Sequence, residues 1–231
     1  MKKFAFILLL TILNGIGFAQ TWAPIGAKWT YGVEYAFLPV IDFREWISIG
    51  DTMVQGHNCK IIQRFGQAVS YDLDDKLITY EENGKILWLV NDQFTTLYDF
   101  NKNAGESWTT TKDSCEITIT VDSTGTDTIN GFPLKTQYVS SSEQAFEGKI
   151  IEHIGHTSQP NPFFLYFCEG IFDDMDYYTG LRCYEDSLIG YHSFNIAPTC
   201  DYYATWTAIH ENEYSSFMTL YPNPFSTQTE I

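Results

Sequence analysis

From Trp22 to about Tyr203 the sequence alternates between apolar and polar residues, and that alternation limits what the chain can fold into more than any other feature. Trp29, Tyr31, Val33, Tyr35 and Phe37 share one parity; Thr30, Gly32, Glu34 and Ala36 share the other. Successive side chains of a strand point to opposite faces, so this stretch predicts a strand with one aromatic, core-facing side. Cys115, Ile117, Ile119 and Val121 alternate in the same way with Glu116, Thr118, Thr120 and Asp122, the clearest half-buried strand in the chain. Turn residues separate the runs. Asn83-Gly84 joins Leu77–Glu81 to Ile86–Val90, Asn130-Gly131 precedes Leu134–Val139, and Gln55-Gly56 precedes Cys59–Arg64. Each pair suits the positive φ values of a tight hairpin. Asp51-Thr52-Met53 before Gly56 and Asp127-Thr128-Ile129 before Gly131 echo one another, as hairpins that reuse turn residues do. The run Ile86–Val90 is apolar at every position and predicts a strand covered on both faces.

No segment after the N-terminal leader shows helical periodicity. The expectation is an all-β, antiparallel sandwich or barrel of roughly a dozen strands, a single domain over residues 20–203. Barrel and sandwich stay open. Residues 204–218 lose the alternation and read as a linker.

The chain carries 29 acidic against 13 basic side chains, a net charge of −16. Nucleic acid is excluded as a partner on that balance, because a phosphate backbone needs Lys and Arg to neutralise it. Lys2 and Lys3 precede the apolar run Phe4–Leu13, followed by Gly17-Phe18-Ala19. This layout predicts a signal peptide over residues 1–19, with cleavage after Ala19 or one residue later. The run is about half the length that spans a bilayer as a helix, and no transmembrane segment is expected in the mature chain.

At the other end stands Leu220-Tyr221-Pro222-Asn223-Pro224-Phe225. The segment Thr219–Ile231 resembles the opening of the type A C-terminal sorting domain of the type IX secretion system, with Tyr221, Pro222, Asn223 and Pro224 as its motif. Only the start of that small β-domain is matched. The resemblance implies export across the outer membrane to the cell surface or the medium, with the export machinery as partner. A looser resemblance runs through the chain, to secreted proteins of unknown function that carry the same sorting domain. It rests on Gly26-Ala27-Lys28-Trp29-Thr30-Tyr31, Gly50-Asp51-Thr52, Leu97 to Asn101 with Gly105, and Leu181 to Tyr184 with Cys200. It brings no catalytic residues with it.

An exported chain permits disulfides. Five cysteines, Cys59, Cys115, Cys168, Cys183 and Cys200, allow many pairings that spacing does not decide. Cys183 with Cys200 is the favoured bridge, closing a loop around an expected strand at Leu188–Phe194. Cys115 reads equally as a bridged or an inert buried cysteine.

Chemistry-bearing patterns are sparse. His153 and His156 fall on a run read as a strand ending at Gly155, where residues three apart face opposite ways, which disfavours a shared metal. Asp173, Asp174 and Asp176 crowd one loop; Ca²⁺ is a conceivable ligand there, a solvated acidic loop the commoner meaning. Asp99, Asn101, Asn103 and Gly105 lack the Gly position and final Glu of a calcium loop and read as a strand end and turn. His57 and Cys59 read as an edge histidine beside a core thiol. No catalytic, cofactor or metal residue is assigned.

What stands out instead is the aromatic content, 6 Trp, 15 Tyr and 17 Phe, on a β-scaffold. Aromatics fill sheet cores, and exposed ones suit sugar faces and protein partners. The candidate ligand contacts are Tyr177, Tyr178, Tyr202 and Tyr203, since one of each adjacent pair must lie outside. The leading expectation is an exported, non-enzymatic protein that binds glycan or protein. A secreted hydrolase of polysaccharide or protein is the alternative, and a structural surface or matrix component the third reading.

Overall fold

Four two-residue turns organise the chain. Gln55-Gly56, Asn83-Gly84, Asn91-Asp92 and Asn130-Gly131 all have positive φ at both positions. That geometry matches the right-handed twist of the strands it joins and closes each hairpin without splaying it. The computed structural model describes residues 22–35, 38–66, 75–112, 115–142, 146–162 and 177–205. Residues 1–21, 163–176 and 206–231 lie outside the described residues, with Cys168, the Asp173–Asp176 loop and the Tyr221–Pro224 motif among them.

Two antiparallel sheets share one core. The larger is built from β1 (Lys28–Tyr35), β2 (Leu38–Val54), β3 (His57–Phe65), β4 (Lys76–Glu82), β5 (Lys85–Val90) and β6 (Gln93–Asp99). To these it adds β12 (Tyr177–Glu185), β13 (His192–Ser193) and β14 (Ala204–Thr205). Its order is β13-β12-β1-β2-β3-β4-β5-β6, with β14 beside the first half of β2. The smaller sheet is a half-barrel of β7 (Ser107–Lys112), β8 (Cys115–Ile129), β9 (Phe132–Ser141), β10 (Gly148–Ile151) and β11 (Gly155–His156), in the order β11-β10-β9-β8-β7. The all-β antiparallel expectation holds among the described residues, and no helix occurs there.

The alternation of β1 does what its pattern predicts: Trp29, Tyr31 and Val33 are buried. Trp29 lies opposite Trp46 of β2 and Tyr184 of β12 on the core side. In β8, Ile117, Ile119 and Val121 supply the facing layer. Buried indoles and phenols need partners for their polar ends. Trp29 Nε1 donates to the Ile154 carbonyl at 2.7 Å, the Tyr31 hydroxyl to the His156 carbonyl at 2.8 Å, and Trp22 Nε1 to Thr79 Oγ1 at 2.9 Å.

Several expectations shift in detail. In β5, Ile86 and Trp88 enter the core, while Leu87 and Leu89 are only half-buried on the other face. The run at 150–155 is two strands, not one: β10 ends at Ile151, and a turn with His153 at φ 73° reverses the chain into β11. The expected strand at Leu188–Phe194 is reduced to β13, because Asp186 accepts from the Leu188 and Ile189 N–H groups and folds that stretch into a turn. The large sheet continues to Thr205, two residues beyond the expected domain end at 203.

Cys183 and Cys200 are bonded across 17 residues, a loop whose closure stabilises by about 3 kcal/mol in the chain-entropy account. Cys115 is also in disulfide linkage. The Cys183–Cys200 bridge ties residues 194–205 over the face of β12 and β1 turned away from the core. Arg182, buried there, donates through Nη1 to the Cys200 and Tyr202 carbonyls and through Nη2 to the Asp42 carbonyl. Burial lowers its pKa from the ordinary guanidinium value. Gly32 makes room for this guanidinium. A Cβ there would stand 2.2 Å from Thr179 Oγ1 and 2.7 Å from Arg182 Nε.

Gly32→Ala therefore loses about 1–3 kcal/mol of stability through overpacking, read as a lower urea midpoint at unchanged slope. Adding Thr179→Ala recovers part of that loss. An unchanged midpoint in the single variant would show that β1 yields at this position.

Candidate functional site

The two tyrosine pairs divide as strand alternation requires. Tyr177 lies opposite Glu34, and its hydroxyl donates to Glu34 Oε2 at 2.5 Å; its side is 45% exposed. Tyr178 lies opposite Val33 on the core side, edge-on to Tyr31, and accepts from Trp46 Nε1 at 3.2 Å. Tyr202 is half-buried, with its carbonyl on Arg182, and Tyr203 is 58% exposed. Tyr177 and Tyr203 are thus the surface members. They are separated by two strands, since Tyr177 pairs with Glu34, Glu34 with Ile41, and Ile41 with Ala204 beside Tyr203.

Two buried histidines look chemical and are sealed. His153 Nε2 stands 2.6 Å from Asp186 Oδ2, which also accepts from the Tyr184 hydroxyl at 2.7 Å. Both side chains of the His153–Asp186 pair are fully buried. Burial pushes the Asp186 carboxyl up, but hydrogen bonds from His153, Tyr184 and the Ile189 N–H outweigh it and hold the pKa at about 2. His156 stacks on Phe146 at 4.0 Å, and its Nδ1 accepts from the Ser158 and Gln159 N–H groups. Burial pushes its pKa down to about 3. The pair joins the β10–β11 turn to the turn after β12, so its work is to lock one sheet to the other. Cys59 is the free cysteine among the described residues, buried, and burial raises its thiol pKa, the opposite of an activated nucleophile. Asp99 accepts from the N–H and side-chain amide of Asn101, which makes that stretch the expected strand end and turn. Among the described residues no group of three or more His, Cys, Asp or Glu is placed to hold a metal.

An open concavity lies elsewhere among the described residues, where the edge strands of the two sheets meet. The Thr111 N–H of β7 donates to Thr95 Oγ1 of β6 at 3.1 Å. Beside that junction is a groove of about 380 Å³, lined by Val90, Asn91, Gln93, Phe94, Thr95 and Thr111. Its size falls within the usual range of ligand sites. The Asn91-Asp92 turn frames one end. Gln55 Nε2 of the β2–β3 turn donates to the Asp92 carbonyl at 2.7 Å and braces it. Phe94 carries the aromatic surface. Its ring meets Tyr80 edge-on at 4.7 Å, and Tyr80 stacks on His57 at 4.2 Å. Strand parity puts His57, Cys59, Tyr80, Leu87, Leu89 and Phe94 on the face of the large sheet away from the core. Accordingly Tyr80 and Cys59 are buried without belonging to the central cluster.

The six lining side chains offer two amides, two hydroxyls, one ring and one aliphatic group. Such a set binds by hydrogen bonding and stacking. None of the six was a candidate from the sequence. The groove depends on contacts between β6 and β7 and between two turns that are 37 residues apart. The only local signal was Asn91-Asp92, which tolerates the left-handed region but lacks the Gly that marked the other hairpins. No protein family, curated protein or solved structure matches the chain.

Acid should reveal the two sealed networks in successive windows that overlap only between about 3 and 3.9. His156 in the folded state titrates near 3 and in the unfolded chain near 6.5, so the unfolded state takes up its proton first. Its stabilising contribution is full above about 6.5 and is lost as pH falls toward about 3. The Asp186 contribution, about 2 kcal/mol, is full above about 3.9 and is lost as pH falls toward 2. Urea titrations across pH 7 to 2 should show both windows. His156→Asn, which keeps an acceptor near Nδ1, should flatten the first alone, and Asp186→Asn the second alone.

Proposed function

We propose that the chain is an exported, non-catalytic β-protein that binds an extracellular ligand in the groove between β6 and β7. The single observation that carries this reading is the groove itself: an open concavity at a sheet junction whose lining presents a ring, amides and hydroxyls. Export is supported by the signal-peptide layout of residues 1–19 and by the resemblance of Thr219–Ile231 to a sorting-domain start. The Cys183–Cys200 bridge is compatible with an oxidising compartment. No helix among the described residues is long and apolar enough to cross a membrane.

The test is a thermal-shift screen of the full, oxidised chain against polysaccharides and peptides, with each mixture assayed for products. A ligand of the native state raises the melting temperature by mass action, by an amount equal to about 2.7 kcal/mol at a hundred times Kd. The expected outcome is a saturable shift, no turnover, and loss of the shift in Phe94→Ala. Product formation would replace this reading with the hydrolase. A screen without any shift would replace it with the structural component.

A further inference from the structure

We infer that the ligand of the β6–β7 groove is an uncharged glycan chain. This rests on the groove being the binding site and adds what it selects. The chain carries a net charge of −16, yet Val90, Asn91, Gln93, Phe94, Thr95 and Thr111 include no ionisable side chain. The charged residues nearest in sequence, Asp92 in the turn and Lys112 after Thr111, are not among the lining residues. Acidic polymers are repelled by the molecule as a whole and find no fixed cation among the described lining residues. Cationic ligands find no carboxylate among them to pair with.

A sugar hydroxyl both donates and accepts. Side-chain amides and threonine hydroxyls do the same, so Gln93 and Thr111 match it in kind, while Thr95 already accepts from the Thr111 N–H and keeps its own O–H to donate. The face of a pyranose presents C–H groups, and an aromatic ring is their natural platform because its face carries negative charge. Phe94, which strand parity turns to the face opposite Gln93 and Thr95, provides that platform along the rim of the edge strand β6, and it is held in place: Tyr80 meets it edge-on with the planes at 85°, and His57 backs Tyr80 with planes at 22°. A ring fixed by two others loses little conformational freedom on binding. The lining does not suit a protein partner. Protein interfaces concentrate their binding energy in Trp, Tyr and Arg anchors within an apolar centre, and none of those residue types is among the described lining residues. The groove is also open at the surface, with Asn91, Gln93 and Thr111 exposed, which lets a chain longer than the groove enter along its side.

The decisive measurement is calorimetric titration of the full, oxidised chain with neutral hexasaccharides of β-1,4-linked glucose, xylose and mannose. Hexagalacturonate and a mixed decapeptide library are the comparators. At least one neutral hexasaccharide should bind. Its affinity should change less than twofold between 0.05 and 0.5 M NaCl, since no ion pair forms for salt to screen. Phe94→Ala should weaken it about tenfold or more. Gln93→Ala, a surface change that leaves the aromatic trio intact, should weaken it severalfold, and Tyr203→Ala should leave it unchanged. Phe94-dependent binding of hexagalacturonate or of peptides in place of the neutral sugars would overturn the glycan inference and leave the groove as a binding site. Binding that ignores both Phe94 and Gln93, or no binding by any probe, would overturn the groove reading itself.

Discussion

The indole and phenol groups on the inner face of the large sheet have to satisfy their polar ends away from water, and for three of them the β10–β11 hairpin and the residues just after it supply the acceptors. Trp29 and Tyr31 reach the carbonyls of Ile154 and His156, and the Tyr98 hydroxyl lies 3.3 Å from the Pro160 carbonyl while accepting from the His156 N–H. All of these partners lie on or just after the β10–β11 hairpin. A buried N–H or O–H without an acceptor costs about 1–3 kcal/mol, so the hairpin cannot shift register without stranding several donors at once. That constraint fixes how the half-barrel sits on the large sheet. It also explains the left-handed His153: the chain must reverse sharply there to present both carbonyls. The buried His153–Asp186 pair then ties the same hairpin to the turn that follows β12.

The large sheet is apolar on two sides for different reasons. Its inner side is core. Its outer side is divided: the strap of residues 194–205 crosses the β12–β1–β2 part, held by Arg182 and the Cys183–Cys200 bond. The β3–β6 part carries the His57–Tyr80–Phe94 trio, and Phe94 is where that outer surface meets the groove. The free Cys59 beneath the trio is a small packing residue of this outer layer.

The elements that local chemistry determines could be read from the sequence. Asn83-Gly84 and Asn130-Gly131 gave hairpins, the Cys115–Val121 alternation gave the inner face of β8, and the division of Tyr177 from Tyr178 follows from period two alone. The Cys183–Cys200 bridge was the favoured one of many pairings that spacing alone does not decide. What eluded the sequence depends on distance along the chain. The apolar run Ile86–Val90 does not say that only one of its faces meets the core, because that depends on where the second sheet lies. The isoleucines around His153 read as one strand because nothing local announces a turn there. The groove needed β6 to meet β7 and Gln55 to reach Asp92, and no periodicity records either contact.

Because β1 pairs with β12, the first strand of the described fold has its second neighbour among the last. A chain emerging N-terminus first can form the β1–β2 hairpin early, but Trp29 and Tyr31 gain their acceptors only when the β10–β11 hairpin arrives, and β1 stays a bare edge until β12 follows. Loop closure over such separations is slow, and nonlocal pairing delays folding relative to local contacts. The topology therefore keeps the chain pliable for most of its emergence and makes its tertiary structure a late event.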